Sequence, residues 1–303
     1  MSIEDPARRR LLAAFAAAPL AACASRAETS GVESFTAEGL ALAIARRPMA
    51  LLGEVHDNPV QHRVRAEALR LHLLGGARPA LAFEQFDRDQ QHALNEARRQ
   101  SSRDDPAARA DRLIKAAGRG GWNWPLYRPF VALALQFDLP LVAANLSRAD
   151  AMKVGRADSF DALFDRDLQR RLGLDRLPED FLRRHERVVD DGHCNTMPPD
   201  VLPALARAQI ARDAVLLESI RPHAQGGVVL LTGNGHARTD LGVPYLMDAK
   251  ERARTLAIGL LESPQANDDD GVDRLRRHFD VSFVTPRHER PDPCEQLRKR
   301  SAK

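Results

Sequence analysis

The chain has 303 residues, 44% of them hydrophobic and 29% charged, with a formal charge of +3. That content supports a full core, enough for one large or two small domains. Mixed charges with no basic stripe among the aromatics argue against nucleic-acid binding, and the three scattered cysteines build no zinc or iron–sulfur cluster.

Arg8 to Arg10, an apolar run from Leu11 to Leu20 and then Ala21-Ala22-Cys23 form the pattern of a secretory signal. The run is too short for a permanent membrane span. Leu20-Ala21-Ala22-Cys23 reads as a lipobox, so residues 1–22 are a cleaved signal peptide and Cys23 is the lipidated N-terminus. Ala24 in place of Asp points to the outer membrane. The expectation is an envelope protein held to the membrane by a lipid anchor. Arg8-Arg9 ahead of Leu11-Leu12 leaves Sec or Tat export open. Residues 23–38 read as a tether.

Apolar runs of strand length follow at Met49–Gly53, Ala80–Phe83, Leu139–Ala144, Val228–Thr232, Thr255–Leu261 and Val281–Val284. Most are continuous rather than alternating, as in strands buried on both faces of a parallel sheet. Helical patterns lie between them. Asn58 to Leu74 starts with an Asn-Pro cap and places Val60, Val64, Leu71 and Leu74 on one face. RDQQHALNEARR, LYRPFVALALQFD and PDVLPALARAQIARDAVLLESI also read as helices. The fold class is therefore α/β, a mostly parallel sheet flanked by helices, with a helical insertion at about 150–222 between the third and fourth strands. The domain runs from 39 to 285. ANDDDGVD reads as a loop, and the Pro-rich, charged residues 286–303 as a mobile tail.

The residues just past each run share a chemistry. The first run ends in Gly53-Glu54-Val55-His56, the second in Glu84-Gln85, the third in Asn145-Leu146-Ser147-Arg148 and the fourth in Thr232-Gly233-Asn234-Gly235-His236. In an open parallel sheet the C-terminal strand ends form one edge, where ligands bind. Glu54, His56, Glu84 and His236 are thus expected in one crevice, with Asn145, Arg148 and Asn234 around them. Two Glu and two His suit a divalent first-row metal that could activate water for hydrolysis. Without a metal, Glu54 or His56 suits a general base and Arg148 an anion contact. Singly, each residue also reads as a turn or cap residue.

The segments LLGEVHDNPVQH, LAFEQFDRDQQ, LPLVAANLSR, GHC, AQIARD and VVLLTGNGHARTDLGVPYL run in order from about 49 to 246. Together they resemble the ChaN family of bacterial haem-binding lipoproteins, within the EreA/ChaN-like superfamily that also holds Tiki-type metal-dependent proteases and erythromycin esterases. The resemblance implies an exported α/β protein that binds haem and serves haem or iron acquisition. The alternative it implies is a metal-dependent hydrolase using Glu54, His56, Glu84 and His236. Haem needs an axial ligand and an apolar slot. The candidates are Tyr127, which lies among Trp122, Trp124, Arg128 and Phe130, together with His56 and His193; Tyr245 reads as packing. A haem sandwiched between two copies requires a homodimer. No Cys-x-x-Cys-His is present, which excludes covalent haem. Whether Cys194 and Cys294 pair is open on spacing alone. Gln209, Arg212 and Asp213 sit together on a helix and read either as site-facing or as an internal salt bridge. His62, His72, His92, His185, His223, His278 and His288 read as surface or helix-face residues, with His62 the first to promote.

Overall fold

The computed structural model describes residues 35–101, 105–263, 269–292 and 294–295. The signal segment, Cys23, most of the tether and the last eight residues lie outside the described residues. The elements run α1 (Ala37–Ile44), β1 (Met49–Leu52), α2 (Pro59–Leu74), β2 (Ala80–Asp87), α3 (Gln91–Gln100), α4 (Pro106–Ala117), α5 (Trp124–Gln136) and β3 (Leu141–Asn145). They continue α6 (Arg148–Ala157), α7 (Arg166–Leu172), α8 (Glu179–Gly192), α9 (Leu202–Ile220), β4 (Val228–Leu231), α10 (Asn234–Ala237), α11 (Ala249–Ala253), β5 (Thr255–Glu262), α12 (Asp269–Arg276) and β6 (Val281–Thr285).

The strands form one parallel sheet in the order β3-β2-β4-β1-β5-β6. Both faces are covered, which is why the strands read as continuous apolar runs. Ala50, Leu52, Leu81 and Phe83 pack with α1 to α5 on one face, while Met49, Leu51, Ala80 and Ala82 pack with the insertion helices α6 to α9 on the other. Among the described residues, no helix is long and apolar enough to cross a membrane.

Strands β1 and β4 are neighbours, with register Leu52↔Leu231. The chain leaves β1 into α2, on the first face, and leaves β4 towards Leu241, Val243 and Leu246, on the second. Successive chains that part to opposite faces open a crevice at the strand ends. Two backbone contacts fix its walls. Gly53 N donates to Ile258 O at 2.8 Å, and Asn234 N donates to Glu54 O at 3.0 Å.

Several expectations need correction. Strand β2 runs on through Asp87, so Glu84 lies within it, one residue beyond the last β4 partner at Phe83. The buried face of α2 is Gln61, His62, Arg65, Ala68, Leu69 and Leu73, not the Val60–Leu74 face, and Leu74 is 59% exposed. The helix turns polar residues inward because its first turns dock on the crevice. The part of ANDDDGVD from Asp269 onward opens α12 rather than remaining a loop. The described start of the tail is held by specific contacts. Asn58 Nδ2 donates to Pro286 O at 3.1 Å, Arg290 pairs with Asp57 at 2.8 Å and with Glu262, and Cys194 and Cys294 form a disulfide.

Candidate functional site

One arm of the crevice is built on Glu54, directly after β1. Asn58 caps α2, its Oδ1 accepting from Val60 N at 3.0 Å and Gln61 N at 3.1 Å. The cap aims the first turns of α2 at Glu54. The glutamate is 2% exposed. Its Oε1 accepts from the Tyr127 hydroxyl at 2.5 Å and lies 3.0 Å from His56 Nδ1. Its Oε2 is in ion-pair contact with fully buried Arg65 and lies 3.4 Å from His62 Nε2. Arg65 Nη2 donates to Leu52 O at 2.9 Å, tying the pair to the end of β1. Burial pushes the Arg65 pKa down to about 10, against the attraction of nearby Glu84.

The other arm is built on Glu84. Its Oε2 accepts from Thr232 Oγ1 and from Gly233 N, each at 2.7 Å. Burial opposes ionisation of Glu84, but His236, His56 and these two donors outweigh it and hold its pKa below the usual carboxylate value. His236 Nδ1 lies 2.6 Å from Asp213 Oδ1, and its Nε2 lies 3.1 Å from the Gln209 amide and 3.6 Å from Glu84. Burial pushes Asp213 up to about 6, and although burial also works against a charged His236, Glu84 and Asp213 raise its pKa.

The arms meet at His56. Its side chain is half exposed, whereas the surrounding carboxylates are buried. The ring packs so closely on the chain at 233 that a Cβ there would sit 2.7 Å from His56 Cε1. Gly233 has an ordinary φ of −69°, so closeness to His56, not backbone strain, calls for glycine. Trp122 meets the imidazole edge-to-face at 5.0 Å and Tyr127 at 5.5 Å.

The structure thus brings Glu54, His56, Glu84, His236 and Tyr127 together, but not every expected residue joins them. Tyr127 is buried and its hydroxyl is committed to Glu54, and burial raises its pKa further, so it supports the site from beneath. His193 ends α8, its Nδ1 2.6 Å from Val189 O, which commits the ring to that helix end. Asn145 closes the turn after β3 by accepting from Leu146 N at 2.8 Å. Asn234 braces β5, its side chain bonding Leu260 O at 2.6 Å and Leu260 N at 3.1 Å. Arg148 is exposed at the start of α6, where its charge acts on Arg212 rather than on the glutamates, and Tyr245, beyond β4, stacks on Phe181 of the insertion at 4.0 Å. Among the described residues, no group of three or more His, Cys, Asp or Glu is placed to hold a metal ion. The divalent-metal alternative gains no support from this arrangement, in which protein donors engage the carboxylates: Arg65 and Tyr127 on Glu54, Thr232 and Gly233 on Glu84. Sequence reading missed Arg65 and gave Thr232 no role beyond ending the fourth apolar run, since neither stands after a strand as an unusual charged group. A separate groove of about 620 Å³ between α2 and α5, lined by Pro59, Ala66, Pro129 and Leu133, shares only His62 with this network.

Two other buried histidines make stability sensitive to acid. Burial pushes His62, which contacts His56 O at 2.9 Å, and His185, edge-to-face with Phe181 at 4.6 Å, down to about 4. Unfolded imidazoles bind protons near pH 6.5. The folded pKa values are depressed, so this contribution is intact above pH 6.5 and is lost as pH falls towards 4. Each histidine is expected to cost about 2 kcal/mol between pH 7 and pH 5. Urea unfolding of wild type and His185→Phe at both pH values checks this; an unchanged pH slope in the variant overturns it for His185.

A doubly covered parallel sheet with a carboxylate–histidine crevice at its switch point defines the class: an α/β protein with polar groups gathered at the strand ends, the edge where open parallel sheets bind ligands. The chain belongs to the haem-binding uptake family ChaN of the Tiki superfamily, whose model matches residues 40–247. Among solved structures it is similar to ChaN of Campylobacter jejuni, described as binding haem cofacially. The likeness has 16% identity, a TM-score of 0.63, and covers 81% of this chain and 90% of that one. An erythromycin esterase, EreC, is a looser match at 14% identity and a TM-score of 0.42, covering 86% of this chain and 81% of that one. No curated protein matches the chain.

Proposed function

We propose that the crevice binds haem with His56 as the axial ligand. The observation that carries this is the Glu54–His56 contact of 3.0 Å at Nδ1, on an imidazole whose side chain is half exposed. A carboxylate on one ring nitrogen fixes the tautomer and leaves the other nitrogen as the donor, the arrangement found behind metal-bound histidines. Tyr127 and Arg65 hold Glu54 in place, and Trp122 offers an aromatic edge beside the ring. When bound, the haem supplies an iron centre, and the family assignment supports haem as the ligand.

Export, lipid anchoring at Cys23 and a part in haem or iron acquisition belong to the same proposal. The lipobox supports it, as does a disulfide of the kind that persists in oxidising compartments. A homodimer that places two haems face to face is the matching proposal for assembly.

Titration of the full-length protein with haemin, followed through the Soret region, tests the assignment. A saturable band is expected, with affinity at least tenfold weaker in His56→Ala. Tyr127→Phe should leave the band position unchanged. A band abolished by Tyr127→Phe and kept by His56→Ala would falsify the ligand assignment, and no saturable band in wild type would remove haem binding altogether.

A further inference from the structure

We propose that Arg212, assisted by Arg148, is the anion anchor of the crevice and receives a carboxylate of the bound porphyrin. This rests on the haem reading and names the part of the ligand that the Glu84 arm recognises.

Arg212 lies on α9, next to Asp213 and one turn from Gln209, both of which contact His236. It is partly buried. Among the described residues its guanidinium makes no hydrogen bond and no ion pair. The neighbouring charges are Glu84, Asp87, Asp213 and Arg148. The three carboxylates are already engaged: Glu84 by Thr232 and Gly233, Asp213 by His236, and Asp87 by Arg119 at 3.4 Å. Burial lowers the Arg212 pKa, and Arg148 pushes the same way.

Several other buried or half-buried arginines among the described residues are paired, whereas Arg109, away from the crevice on α4, is not. Arg65 meets Glu54, Arg221 meets Glu251 at 2.6 Å, and Arg290 meets Asp57 at 2.8 Å. A guanidinium taken partly out of water without a direct partner is costly to keep. Its planar fork matches a carboxylate with two parallel hydrogen bonds. Exposed Arg148, at the start of α6, adds positive charge on the same side. A porphyrin with free carboxylates therefore gains at this end of the crevice what its esterified analogue cannot.

The test compares haemin with haemin dimethyl ester on full-length wild type, Arg212→Gln and Arg212→Lys, with a thermal melt of each. Wild type is expected to prefer the diacid by tenfold or more. Arg212→Gln should bring the two ligands close to equal, and Arg212→Lys should retain part of the preference. Equal binding of both ligands by wild type, or a preference that survives in a folded Arg212→Gln, overturns the inference while the haem reading stands. Absence of any haemin band in wild type overturns both. If Arg212→Gln fails to fold, the wild-type ratio and Arg148→Gln, expected to show a smaller drop in preference, still decide.

Discussion

Replacing Glu54 with alanine is expected to destabilise the protein by about 3–5 kcal/mol, the usual cost of removing one partner from a buried ion pair. Glu54 answers three groups at once. Its loss leaves Arg65 without its ion-pair partner at 0% exposure, takes the acceptor from the Tyr127 hydroxyl, and releases His56 Nδ1. The penalty comes from the stranded charge rather than from any large net gain of the intact pair. Glu54→Leu combined with Arg65→Met should therefore recover much of the loss, while Glu54→Gln should be milder in shape but still leave the charge of Arg65 unanswered. Urea unfolding at pH 7 measures all three. A loss under about 1 kcal/mol for Glu54→Ala would mean that water reaches Arg65 and that the network is not closed. Since His56 is oriented by the same carboxylate, haemin affinity should fall in the folded fraction of Glu54→Gln.

The second large effect concerns the Cys194–Cys294 disulfide, which joins the end of α8 to the C-terminal tail across 100 residues of sequence. A cross-link over that separation restricts the unfolded chain, with a ceiling of about 4.7 kcal/mol and an expected cost of about 2–5 kcal/mol on removal. Cys294→Ser, or reduction of the wild type, should lower the melting temperature by several degrees. Folding of the core should survive, because Arg290 still pairs with Glu262 and Asp57, and His288 N still donates to Glu262 Oε1 at 3.1 Å. An unchanged melting temperature after complete reduction would show that these tail contacts already do the tethering. Loss of haemin binding with little loss of stability would instead place the tail, which reaches Asp57 beside His56, in control of the crevice.

Much of this architecture was legible in the residues. The six apolar runs coincide with β1 to β6, because a strand buried on both faces needs an unbroken apolar sequence. Asn58-Pro59 marked the start of α2, because an Asn cap and a Pro in the first turn satisfy the helix's free amides locally. Glu54, His56, Glu84 and His236 were visible as titratable groups at the ends of those runs. What each does was not visible. Partnership among Glu54, Tyr127 and Arg65 spans 73 residues, and that between Glu84 and Gly233 spans 149. Such pairs form only when α5 and β4 are brought against the end of β1. No local pattern reports that Tyr127 faces inward to Glu54, that Arg65 is swallowed by the helix–sheet interface, or that Arg212 is left without a direct partner. Local propensity and hydrophobic period act between near neighbours, so the sequence by itself determined the elements, their parallel arrangement and the edge on which chemistry would collect. Burial and pairing of charges are set by chain segments far apart, so only the tertiary structure decided that His56 is the open group, that the carboxylates are committed to the protein's own donors, and that Cys194 meets Cys294.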